Sequence, residues 1–204
     1  MVDPLTLLAF VPAALALNLT PGADMMFCLG QGLRSGPRAA IAASAGISTG
    51  GMVHVTLAGV GLGAVIAAVP RSFDVIRWVG VAYLLYLAYR ALRQTGAGGD
   101  TAPPMTIARA FATGLAVNLT NPKVILFVLA FVPQFVVPDA GPILGQFLIF
   151  GAVLSIGGFL VNGAAGVFAS GLGRRFARGG RALGWITSAI FIALAARLAI
   201  LERT

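Results

Sequence analysis

Charge is scarce in this chain. Of its 204 residues only 10% are Asp, Glu, Lys or Arg, against about 25% in a soluble domain. There is one cysteine, Cys28, so no disulfide can close within the chain, and one histidine, His54. No His/Cys/acid cluster has the spacing of a metal site. The six acidic residues are scattered, so the nucleophile–base sets that an intramembrane enzyme needs are missing. Met1-Val2-Asp3 lacks the basic region of a signal peptide, and the first apolar segment is read as retained.

What abounds is apolar. Hydrophobic residues make up 58% of the chain and the mean hydropathy is +0.94, which fits a bilayer as solvent. A spanning helix with its connection takes roughly 30 residues. The length therefore has room for six spans, and six apolar runs are present: Leu5–Leu33, Ala39–Val69, Val75–Leu92, Ala110–Val137, Ile143–Leu172 and Ala182–Leu201. A Gly/Pro-rich linker, 94–105, separates two halves, 1–93 and 106–204, of a single transporter-like domain. The predicted fold is an all-α membrane protein of six transmembrane helices.

The net charge of +8 would suggest nucleic acid in a soluble protein. Here the arginines sit between apolar runs, without interleaved aromatics, so no nucleic-acid partner is expected and the bilayer is. Alternate loops share a side of the membrane. Arg34, Arg38, Arg90, Arg93, Arg109, Arg174, Arg175, Arg178 and Arg181 fall on one side; Arg71, Arg77, Arg197 and Arg203 fall on the other. The richer side is expected in the cytoplasm, with both termini outside.

The two halves share a motif. Leu15-Ala16-Leu17-Asn18-Leu19-Thr20 recurs as Leu115-Ala116-Val117-Asn118-Leu119-Thr120, and a proline follows each copy, Pro21 and Pro122. Farther on, Ser48, Gly50 and Gly51 match Ser155, Gly157 and Gly158, and Trp78 matches Trp185. Each half holds three spans. An odd number puts the second half upside down, and inverted repeats with interrupted helices mark transporters.

Each proline lacks an N–H and clashes with the carbonyl four residues back. Helices 1 and 4 are therefore predicted to break at Pro21 and Pro122, freeing the carbonyls of Leu17 and Asn118. Gly22 loosens the first break. Freed groups need partners, so the breaks must face protein or a water-filled cavity. Lys123 falls about 12 residues into its segment, roughly 18 Å at 1.5 Å per residue, too deep to snorkel easily. Asp24 opens the half-helix after Pro21, where the dipole favours an anion. Intramembrane charges are functional hypotheses by default. Lys123 can hold an α-carboxylate and Asp24 an α-ammonium; alternatively the two pair and lock the breaks. Asn18 and Asn118 are expected to satisfy the opened backbone. His54 is read as a proton-coupling group or a packing residue. Asn162 is expected to line the same cavity as His54.

Asn18-Leu19-Thr20-Pro21-Gly22-Ala23-Asp24 and Asn118-Leu119-Thr120-Asn121-Pro122-Lys123 resemble motifs of the lysine exporter (LysE/RhtB) family of amino-acid exporters. Gly46, Gly50 and His54, the stretch Ala82–Leu87, and Phe131-Val132-Pro133-Gln134-Phe135 carry the resemblance further. The family implies export of amino acids or derivatives through the bacterial inner membrane, driven by the proton-motive force, with no metal or organic cofactor. Ala23 stands where the family commonly has a second proline, which makes the first break milder. Asn162 stands near a common acidic position, which favours a neutral substrate over a dibasic one. A passive small-solute channel is the alternative. A membrane scaffold would leave Asp24 and Lys123 unexplained. The sequence leaves open the exported amino acid, the stoichiometry and any homo-oligomer.

Overall fold

A computed structural model of the protein describes residues 2–68 and 104–172, together with positions 78, 81, 82, 85, 86, 89, 189, 192 and 196. Apart from those single positions, the third and sixth apolar segments lie outside the described residues. So do linker residues 94–103, the basic loop 174–181 and the repeat match at Trp185.

Among the described residues all regular structure is helical. Helix α1 (Pro4–Leu19) starts where the Asp3 carboxylate accepts from the amides of Leu5 and Thr6, with Pro4 in the first turn, where its missing N–H costs nothing. Helix α2 (Ala23–Ser35) follows after three residues. Gly36 then turns the chain at φ +86°, a conformation L side chains avoid, into α3 (Pro37–Ala68). Helix α4 (Ile107–Leu119) is capped by the Thr106 hydroxyl, which accepts from Arg109 N. Helix α5 (Pro122–Ala130) continues through two 3-10 turns, Val132–Phe135 and Pro138–Ala140, to α6 (Ile143–Leu172).

Helices α3 and α6 are each long and apolar enough to cross a bilayer. The pairs α1–α2 and α4–α5 meet that test only jointly, each bent at its break, by 54° and 53° respectively. Leu5, Leu8, Leu57, Val60, Ile156, Leu160 and Phe168 are all at least 60% exposed. Such an outward apolar belt fits contact with lipid.

The packing is of two kinds. Toward the start of α1 and the end of α5, Phe10 is fully buried against Phe150 and Phe135, with ring centroids 4.9 and 5.2 Å away, and Phe127 and Phe131 complete the cluster. Toward the end of α2 the helices touch backbone to backbone. Gly32 lies on Gly166, Gly46 on the Phe111 carbonyl and Gly114 on the Ala43 carbonyl. No Cβ fits at these contacts, which is why the α2–α6 and α3–α4 pairs need glycine there.

Candidate functional site

Both breaks form where a proline interrupts the repeated motif. Thr20 and Asn121, the residues before the prolines, are extended at ψ 117° and 106°, as proline requires of its predecessor. The freed carbonyls do not go bare. Lys123 Nζ donates to Leu17 O and to Thr20 O, both at 3.0 Å. Its path runs over Gly22, where a Cβ would sit 3.3 Å from the ammonium. Asn118 O lies 3.1 Å from His54 Nε2. A carbonyl can only accept, so Nε2 carries the proton in this arrangement. Asn121 caps the second half-helix by accepting from the amide of Lys123 at 3.0 Å.

The asparagines of the motif do other work than closing the breaks. Asn18 Nδ2 donates to Leu154 O of α6 at 3.0 Å, and Asn118 Nδ2 donates to Asp24 Oδ2 at 2.9 Å. The expectation that they satisfy the opened backbone is thereby corrected. Lys123 and His54 reach those carbonyls because their longer side chains approach from a neighbouring helix. The alternative, an Asp24–Lys123 lock, is not formed either. Asp24 gives one oxygen to Asn118 and keeps Oδ1 without a partner, while Lys123 turns to the main chain.

A small, partly open cavity lies among helices α1 to α6. Asn18, Asp24, Asn118 and Asn162 line it, with Ser48 and Ser155 and an apolar wall of Leu17, Ile47, Val124 and Leu154. It offers about 30 Å3 to the centres of water-sized molecules, room for one or two waters and too little for an amino acid. Four buried groups on its lining lack partners: Asp24 Oδ1, Asn118 Oδ1, Ser48 Oγ and Ser155 Oγ. A buried polar group without a partner costs about 1–3 kcal/mol. Of the residues singled out in the sequence, Asn18, Asp24, Asn118 and Asn162 are brought together. Pro21, Gly22, Pro122, Lys123 and His54 stand outside the lining, at the breaks and their partners. Sequence reasoning missed Ser48 and Ser155 as site residues. Their signal was present, since they are a matched pair of the internal repeat.

The sequence profile described as LysE type translocator matches residues 15–202. The chain belongs to this family. It is accordingly a membrane translocator and not an enzyme. Among similar proteins, a homoserine/homoserine lactone efflux protein of Salmonella typhimurium is 37% identical over 145 residues, 70% of either chain. A leucine efflux protein of Salmonella choleraesuis is 29% identical over 202 residues, 95% of this chain and 94% of the relative. An uncharacterized membrane protein of Vibrio cholerae is 34% identical over 148 residues, 71% of either. No solved structure matches the chain. The two efflux proteins carry different substrate names.

Proposed function

We propose that the protein exports amino acids or close derivatives across the bacterial inner membrane as a secondary transporter driven by the proton-motive force. The observation that carries this reading is Asp24, a buried carboxylate with one bare oxygen in a cavity lined from both halves. An α-ammonium supplies the charge and the donors that Asp24 Oδ1 lacks. A proton can take its place after release, so substrate and proton alternate at one carboxylate. That exchange couples efflux to the inward proton gradient.

The reading treats residues 1–204 as one domain of two inverted three-helix halves, about 1–93 and 106–204, with Pro-broken helices 1 and 4. Support comes from the matching bends of 54° and 53°. It also comes from crossed contacts. Asn18 of the first half lies against Gly157 of the second, and Asn118 of the second against Gly50 of the first. Gly50 and Gly157 are themselves repeat partners. Rocking of the halves would open the cavity to one side at a time. In this reading Lys123 is the gating cation. It trades the Leu17 and Thr20 carbonyls for the substrate carboxylate as the first break opens. His54 steadies the second break, and Pro21, Gly22 and Pro122 supply the hinge geometry. Both termini face outward, so cysteines introduced at Arg34 and Arg174 should resist impermeant reagents applied to intact cells.

The decisive experiment is Asp24→Asn in cells loaded with amino acids. The variant keeps an oxygen to accept from Asn118 but loses the charge. Efflux should fall at least 100-fold, of the order expected when about 2.7 kcal/mol of charge-assisted binding is lost, with membrane levels unchanged. Wild-type efflux by Asp24→Asn would end the proposal. Collapsing the proton gradient should stop uphill efflux; a passive channel would carry only downhill flux and would ignore the treatment.

A further inference from the structure

Hydroxyls buried in helices ordinarily bond back to the carbonyl one turn earlier. The buried Thr20 does so here, to Ala16, and the exposed Thr49, Thr56 and Thr120 bond back likewise, to Ala45, Met52 and Ala116. Ser48 and Ser155 do not. Both sit on long helices, α3 and α6, both hydroxyls are buried without a partner, and both line the cavity that holds Asp24. Ser155 Oγ faces α3 closely, 3.0 Å from the position a Cβ would take on Gly51. The two serines are matched positions of the internal repeat, contributed one from each half.

We infer that Ser48 and Ser155 form a hydroxyl pair that selects substrates bearing a polar group on a short side chain, above all a hydroxyl. This rests on the export reading and deepens it. Asp24 takes the ammonium, which every amino acid shares, and so cannot discriminate among them. The apolar wall of Leu17, Ile47, Val124 and Leu154 accepts a short carbon chain. A substrate hydroxyl both donates and accepts, so it completes two serine hydroxyls at once. A methyl group in its place leaves both serines bare, and a site with unpaired buried polar groups rejects the analogue that cannot pair them.

The test uses two substrates that differ in one hydroxyl, homoserine and 2-aminobutyrate. The purified full-length chain is reconstituted in vesicles and exchange of each labelled compound is followed. The wild type should prefer homoserine by on the order of tenfold. Ser48→Ala, Ser155→Ala and the double variant should erode that preference stepwise, mainly by slowing homoserine. Ser155→Cys keeps the size but weakens the hydrogen bond, and should fall between. Because neither hydroxyl bonds to protein, the melting temperature should stay at the wild-type value. An unchanged ratio in the double variant, or an equal loss for both compounds, overturns the hydroxyl pair while leaving export intact. A wild-type chain that moves neither compound nor any other amino acid refutes the export reading itself, and the selectivity inference with it.

Discussion

The two helix breaks have nearly the same sequence and bend by 54° and 53°, yet different chemistry holds them. At the first, a full cation reaches across from the other half and binds two carbonyls, Leu17 and Thr20. At the second, an imidazole binds one, Asn118. The motif asparagines diverge too. Asn18 is spent on the Leu154 carbonyl, whereas Asn118 orients the only buried carboxylate of the cavity. Repetition thus supplies the geometry, and the residues that depart from the repeat supply the charge. A perfectly symmetric pair of breaks would have no preferred partner for either end of a zwitterion.

If that contrast is right, Lys123→Met should have the largest effect on stability. It leaves two carbonyls bare at once. The loss should be about 2–4 kcal/mol after allowing for the cation that no longer needs burying. Thermal unfolding in detergent would register it, and export should cease. Lys123→Arg keeps donors in reach and should recover most of the stability. A melting temperature unchanged in Lys123→Met would show that the first break does not depend on its ammonium.

His54→Leu should cost less, about 1 kcal/mol, because Asn118 O keeps the amide of Asn121 at 2.9 Å. The sharper variant is His54→Gln, which retains an N–H donor without a titrating ring. Gradient-driven export by His54→Gln near the wild-type rate would fix the histidine as a brace. Loss of coupling with stability intact would instead make it part of the proton path, and would shift the asymmetry from charge to proton transfer.

How much of this was legible beforehand follows the range of each interaction. The spans and the breaks are local consequences of hydropathy and proline, so Pro21 and Pro122 could be read directly. Which side chain meets a freed carbonyl is a matter of helices that are distant in sequence. Lys123 lies far along the chain from Leu17, and no periodicity reports that meeting. For the same reason Asp24 and Lys123, opposite charges in matched first turns, suggested a pair that the packing does not make. Asn162 could be found as a polar residue in an apolar run. Ser48 and Ser155 could be found as a matched pair of the repeat, but a serine in a membrane helix usually bonds its own backbone, and only the three-dimensional partners reveal that these two do not.

The next effect separates the asparagines. Asn118→Ala strips Asp24 of the amide that donates to its Oδ2 and should reduce export strongly, by on the order of tenfold or more. Asn18→Ala removes a bond to a carbonyl that the α6 helix already engages, so export should change by less than about threefold, with a stability loss near 0.5–1.5 kcal/mol. Equal losses in both variants would mean that the two motif copies act alike in transport.

A final comparison concerns what the halves still share. Gly50 lies against the Asn118 side chain and Gly157 against that of Asn18, with a Cβ at each coming within 2.7 and 2.8 Å of an amide atom. An alanine at either position must push aside a side-chain amide, not a backbone. Both amides are anchored by one hydrogen bond, so Gly50→Ala and Gly157→Ala should destabilise similarly, by about 1–2 kcal/mol. Their effects on export should nevertheless differ, because only the Gly50 variant disturbs the residue that holds Asp24. Measuring both on one preparation therefore isolates the functional asymmetry from the structural likeness. Matched stability with unequal export means that the repeat sets the frame and Asp24 sets the direction of the chemistry.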